Sequence, residues 1–293
     1  MKTIGQVVAI TAAGPILQAA RHKSPAFRIS LAQWSVRQLH RDGSVPAIEF
    51  PAYTRKTFGI EAVEYVNQFF PRGDGLLAFV NELRQRCDDQ GVKSLLIMCD
   101  GEGHLGDPDK NARLQAVKNH RKWLKAAAAL DCHSIRVNAH SEGTYNEQLN
   151  LAADGLERLS SLAEPFGLNV IVENHGGLSS NGEWLEAVIK KVGLPNCGAL
   201  PDFGNFGDND RYGATERLMP YAKGVSAKSH DFDAEGNETG TDYFRMIPIV
   251  LRSGYKGHIG IEYEGNDLPP EEGIRATQRL LERCRDAWDE KKH

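Results

Sequence analysis

Apolar and polar positions alternate along this chain in two rhythms, and the switching between them is its strongest signal. Short β-rich runs start near Phe27 (FRISLAQW), Gly59 (GIEAVEYV), Val92 (VKSLLIMC) and Cys132 (CHSIRVNA). Four more follow at Leu168–His175 (LNVIVENH), Cys197–Asn205 (CGALPDFGN), Gly224–Phe232 (GVSAKSHDF) and His258–Gly265 (HIGIEYEG). Between them lie stretches with helical spacing. Gly75–Gln90 offers Leu76, Leu77, Phe79, Val80, Leu83 and Cys87, and Asn111–Leu130 offers Leu114, Val117, Trp123 and Leu124. Leu149–Phe166 offers Leu156, Leu159 and Leu162, and Glu271–Trp288 offers Ile274, Leu280, Leu281 and Cys284. Gly91, Gly167 and Gly193 stand where helices should stop.

Strand and helix in alternation mean parallel pairing through right-handed crossovers. An open, doubly wound sheet would usually carry a glycine-rich phosphate loop after its first strand. Here that strand runs into Gln33–Trp34–Ser35–Val36, with no such loop. Eight units over about 265 residues match the usual size of a (β/α)8 TIM barrel. The expected fold is therefore α/β, one barrel domain over residues 25–293 without a linker. Its first βα unit is irregular, because Arg41–Lys56 contains Gly43, Pro46 and Pro51.

The leader is the compositional anomaly. Residues 3–20 carry no charge, follow a single Lys2 and end in small residues before Arg21. Residues 1–24 read either as the remnant of an export signal, which implies a periplasmic or exported protein, or as a flexible N-terminal extension of a cytoplasmic one. Gly5, Gln6, Gly14, Pro15 and Gln18 make the stretch too weakly apolar for a membrane span. The 293 residues are 41% apolar and 25% charged, enough for a full core. The formal charge, 35 − 39 = −4, comes without a basic block and argues against a nucleic-acid partner. Five cysteines without CxxC spacing exclude a zinc ribbon and speak against a disulfide framework.

Four of the apolar runs end in chemistry. Glu173, Asp202, His230 and Glu262 stand at the ends of successive strands, where an unpaired charge beside a core is costly. Any one of them alone reads as a rim salt bridge or a cap. Four on successive strands suggest one shared site, since no cation-rich segment nearby would neutralise three carboxylates and Lys228 alone cannot. Three carboxylates and one imidazole suit a divalent, oxygen-preferring ion. Period-two geometry puts Ile171 and Glu173 on one face, with His175 if the strand persists, and puts Ser226, Lys228 and His230 on another. Glu262 and Glu264 share a face too, and Glu262 is favoured because Gly265 closes the run.

The order of these residues, with the phrases VENHGG (172–177), DFGN (202–205), AKSHDF (227–232) and IEYEG (261–265), resembles the xylose isomerase-like TIM barrels, often called sugar phosphate isomerases/epimerases. The resemblance spans Phe27 to the C-terminus. It implies a divalent ion held by Glu173, Asp202, His230 and Glu262, with Glu173 and Glu262 flanking the substrate and moving protons. One departure is visible: many members place the strand-seven histidine earlier, where Ser226 stands here.

The implied reaction is chemically coherent. Removing a proton next to a carbonyl leaves an enediolate. A divalent ion, manganese first and magnesium, cobalt or zinc otherwise, stabilises it as a Lewis acid. A carboxylate on each face of the carbon allows one to remove the proton and the other to return it. Lys228 would stabilise the oxyanion or form an ion pair with a ligand, and His175 would act as general acid or support a ligand. Trp34 offers a sugar platform or simple packing, and Glu102 and His104, in the loop DGEGHLGD, offer substrate contacts or a solvated turn. Asn138 and His140 end strand four and could bind hydroxyls.

The expected function is thus a metal-dependent isomerase or epimerase on a small carbohydrate, unphosphorylated because strands seven and eight carry no phosphate cradle. The alternative keeps the enolising site but makes it a lyase or dehydratase on a 3-keto-glycoside or an inosose. The endonuclease branch of the superfamily would need more histidines and a DNA-binding surface. The non-enzymatic reading is a sugar-binding barrel with a structural metal. A homo-oligomer is compatible with all of them.

Overall fold

The computed structural model describes residues 25–207 and 210–290, so the leader lies outside the described residues. The eight expected strands are present: β1 Arg28–Ala32, β2 Ala62–Val66, β3 Lys93–Met98, β4 Ser134–Val137, β5 Asn169–Glu173, β6 Cys197–Leu200, β7 Val225–Ser229 and β8 His258–Tyr263. All pair in parallel in the order β6-β5-β4-β3-β2-β1-β8-β7. The remaining seam, between β6 and β7, has no ladder. Isolated bridges join Ala199 to Ala222 and Asp202 to Ser226, with Ser226 N donating to Pro201 O at 2.9 Å and Phe203 N to Ser226 O at 3.1 Å. The barrel therefore closes just beyond the end of β6, and Asp202 is part of the closure.

The helices follow the expected spacing: α1 Arg37–Arg41, α2 Phe50–Phe58, α3 Gly75–Gln90, α4 Lys110–Ala129, α5 Tyr145–Ala163, α6 Gly182–Val192, α7 Arg211–Leu218, α8 Tyr243–Arg252 and α9 Pro270–Glu290. The irregular first unit is α1 and α2 with a 3-10 turn at Ala47–Glu49 between them. Helix α5 starts before its apolar spacing does, because Thr144 and Glu147 form a capping box that supplies partners for the first free amides. Among the described residues, no helix is long and apolar enough to cross a membrane.

Side-chain alternation divides the core in two. Outward residues such as Leu31, Tyr65, Ile135, Val172, Ala227 and Ile261 pack under helix residues including Leu83, Trp123, Leu156, Trp184 and Leu281. Inward residues form a smaller apolar layer of Ala32, Val66, Leu96, Met98, Ile171 and Leu200. Several other inward positions are polar, among them Ser30, Glu64 and Arg136. Glu64 is buried and accepts from Ser30 Oγ at 2.6 Å. It fits because Gly260 on β8 has no side chain: a Cβ there would lie 2.5 Å from the carboxylate. Burial pushes the Glu64 carboxyl up to about 7, against the Ser30 hydrogen bond.

Candidate active site

Glu173 ends β5, Asp202 lies two residues past β6 and Glu262 sits within β8. Each shares the inward parity of its strand, and each is buried, at 1%, 0% and 3% exposure. One ligand oxygen from each lies within 4.8 Å of the others, at the C-terminal ends of the strands.

His230 does not join this group. The period-two reading assumed that β7 runs on to it, but the strand stops at Ser229 and the alternation lapses there. His230 is exposed, and its amide donates to Glu238 Oε1 at 3.3 Å. Its carbonyl is covered by Gly265, where a Cβ would come within 2.0 Å of it. The buried inward positions of β7 are Ser226 and Lys228.

The carboxylates have distinct surroundings. Glu173 Oε1 accepts from Asn205 Nδ2 at 2.8 Å, while Arg136 Nε lies 2.8 Å from Oε2, out of line for a hydrogen bond. Asp202 Oδ1 accepts the backbone amides of Gly204 (2.8 Å) and Asn205 (3.0 Å). The Asn174 side chain clamps the Asp202 backbone, donating to its carbonyl at 3.0 Å and accepting its amide at 2.8 Å. Glu262 Oε2 accepts from Ser226 Oγ at 2.9 Å. Lys228 Nζ lies 3.0 Å from Glu264 Oε1 and donates to Asn205 Oδ1 at 3.1 Å. Asp202 Oδ2 and Glu262 Oε1 are 3.7 and 3.8 Å from the same ammonium.

Two cations, then, face the carboxylates. The sequence reading counted only Lys228 and missed Arg136. The available signal was a charge at an inward position of SIRV, between apolar neighbours. Even so, negative charge is in excess. Burial and the neighbouring carboxylates push Glu262 up to about 8, with Lys228 opposing. Burial and Glu173 also raise Asp202. Burial disfavours the charged form of Lys228, but Asp202, Glu262, Glu173 and Glu264 outweigh it and raise its pKa, so the lysine is charged.

Above this cluster, Asp100 accepts from Arg136 Nη1 and Asn138 Nδ2, both at 2.8 Å. Burial opposes the Asp100 charge, and Arg136 and Asn138 outweigh it, holding the carboxyl below its ordinary range. Asn138 is thus at the mouth, bound to Asp100. His104 and His140 are exposed, with ring centroids 4.2 Å apart. His175 is exposed just past β5, and its amide donates to Ser179 Oγ at 3.0 Å. Trp34 packs on the apolar layer inside the barrel, 6.1 Å from Phe69, with Arg37 and Arg41 over its ring. Glu102 is turned towards α4: it accepts from Trp123 Nε1 at 2.8 Å and pairs with Lys122 at 2.8 Å. It braces the loop after β3.

A closed parallel barrel with acidic groups converging at its C-terminal mouth defines the architecture. Residues 54–284 match the family model of the xylose isomerase-like TIM barrel, and the chain belongs to that family. Solved structures agree on the fold. L-ribulose 3-epimerase superposes with a TM-score of 0.73 at 15% identity, covering 91% of this chain and 97% of that one. The 3-keto-D-glucoside 4-epimerase from E. coli gives 0.70 at 17%, covering 88% and 100%. The IOLI protein, solved with a bound zinc atom, gives 0.70 at 13%, covering 89% and 99%. No curated protein sequence matches the chain.

Proposed function

We propose that this barrel is a divalent-metal-dependent isomerase or epimerase acting on an unphosphorylated sugar or sugar derivative, by proton transfer at a carbon next to a carbonyl. The observation that carries the reading is the convergence of Glu173, Asp202 and Glu262, buried and with ligand atoms within 4.8 Å of one another. The similarity to sugar epimerases supports it.

The residues fit an ion. Glu173 Oε2 and Asp202 Oδ2 are buried without a hydrogen-bond partner, and burial together with the neighbouring carboxylates raises Asp202 and Glu262. With Ser226 in place of a strand-seven imidazole, the donors are all oxygen, which favours manganese or magnesium over zinc. Bound there, the ion would supply Lewis acidity toward a carbonyl and its neighbouring hydroxyl.

Glu173 and Glu262 come from β5 and β8, on different sides of the barrel. A carbon between them presents one face to each, so one takes the proton and the other returns it. Lys228 and Arg136 place positive charge beside the developing enediolate oxygens. His175, Asn138 and the His104–His140 pair would bind hydroxyl groups. Trp34 and Phe69 offer apolar surface to the C–H face of the ring.

The test is to incubate manganese-loaded protein with candidate sugars and 3-keto-glycosides in deuterated water. Solvent deuterium in recovered or isomerised sugar is the expected result. Release of an aglycone or of water would place the enzyme among lyases with the same enolising step. No exchange on any candidate would count against enolisation.

A further inference from the structure

The role given to Lys228 above concerns the bound substrate and does not account for its contacts with the carboxylates themselves. The Lys228 stem is buried at 4% exposure and runs past Gly204, where a Cβ would lie 3.0 Å from its Cγ and Cδ. A Cβ at 204 would crowd the lysine stem and push it aside by a few tenths of an ångström, so the glycine keeps a slot for the lysine. The slot delivers the ammonium to the carboxylate group itself. Nζ is 3.7 Å from Asp202 and 3.8 Å from Glu262, two of the three proposed ligands. It makes its shorter contacts at the rim, with Glu264 at 3.0 Å and Asn205 at 3.1 Å. The Asn205 side chain in turn donates to Glu173, the third ligand. One cation on a flexible stem thus spans the ligands and a second set of acceptors just beyond them.

We propose that Lys228 is a tethered counter-cation that neutralises the carboxylate group when no ion is bound, and that an incoming divalent ion breaks its contacts with Asp202 and Glu262 and leaves it on Glu264 and Asn205 alone. The inference rests on the metal-binding reading above. Two cations cannot share Asp202 and Glu262 at these distances without repulsion, so lysine and ion compete for the same oxygens. Glu264 and Asn205 give the displaced ammonium partners that it already contacts, so the exchange needs a short swing of the stem and no backbone movement. The lysine lowers the site's affinity for the ion while sparing the ion-free protein an uncompensated buried charge. Held at the rim, it stands where a substrate oxygen would arrive.

The test compares the full-length wild type with Lys228→Met and Lys228→Gln, titrated with manganese chloride by calorimetry. Both variants should bind manganese more tightly, by about tenfold or more, the scale on which groups around the ligands tune ion affinity. Without the ion both should melt below the wild type, and manganese should close the gap. In the wild type itself, acetylation of Lys228 followed by peptide mass spectrometry should speed up severalfold when manganese is added. That measurement and the glutamine variant keep the test open if Lys228→Met does not fold. Equal or weaker manganese binding in the variants, with acetylation unchanged by the ion, would overturn the exchange and leave the metal site standing. If neither wild type nor variants bind manganese at millimolar concentration, the metal-binding reading falls and the exchange falls with it.

Discussion

Ser226 donates its hydroxyl to Glu262 Oε2 across 2.9 Å, from β7 to β8, at a place where both side chains are buried. The serine therefore orients one of the three site carboxylates. Ser226→Ala should leave that oxygen without its donor and lower stability by roughly 1–2 kcal/mol in urea unfolding. Unchanged stability would mean that the contact is not formed in solution.

Much of the architecture was legible in the sequence, because alternation within strands and helical spacing between them are set by burial, and burial leaves a pattern. The three carboxylates were legible for the same reason: a charge at an inward position interrupts an apolar run. His230 was misplaced because period two holds only while the strand lasts, and nothing in AKSHDF marks its end at Ser229. Arg136 and Glu64 obey the same inward alternation, but their partners lie on other strands, so no local pattern marks them. The clamp of Asn174 on Asp202 joins residues 28 positions apart and leaves no local trace. Neither does the β6–β7 seam, which is made by single bridges rather than a ladder.

Glu64 supplies a pH test at a carboxyl that is not itself a proposed ligand. Its carboxyl is raised to about 7 by burial, so the folded protein keeps the proton over a range in which the unfolded chain, near 4.5, has lost it. Stability from this group is complete below about 4.5 and is lost as pH rises through about 7. The loss is at most about 3 kcal/mol above neutrality. Glu64→Gln keeps an acceptor for Ser30 and cannot ionise. Urea unfolding should show it more stable than wild type at alkaline pH, with the advantage shrinking toward acid pH. Parallel pH profiles would contradict the assignment.

The two glutamates have separable duties if metal content is checked first. Glu173→Gln and Glu262→Gln each keep an oxygen for the ion but lose the ability to take a proton. In a variant that retains its metal, exchange of the substrate proton with solvent should fall by about 10²–10⁴-fold. If both variants hold metal and exchange at the wild-type rate, neither glutamate is the base, and the proton must pass through His175 or Lys228.

The central claim is that Glu173, Asp202 and Glu262 together hold one divalent ion. Anomalous diffraction from crystals of the manganese-loaded protein tests it most directly. The account predicts one strong manganese peak between these three carboxylates, absent or greatly weakened in Asp202→Asn. A well-occupied manganese elsewhere with this site empty, or an undiminished peak in Asp202→Asn, would contradict it.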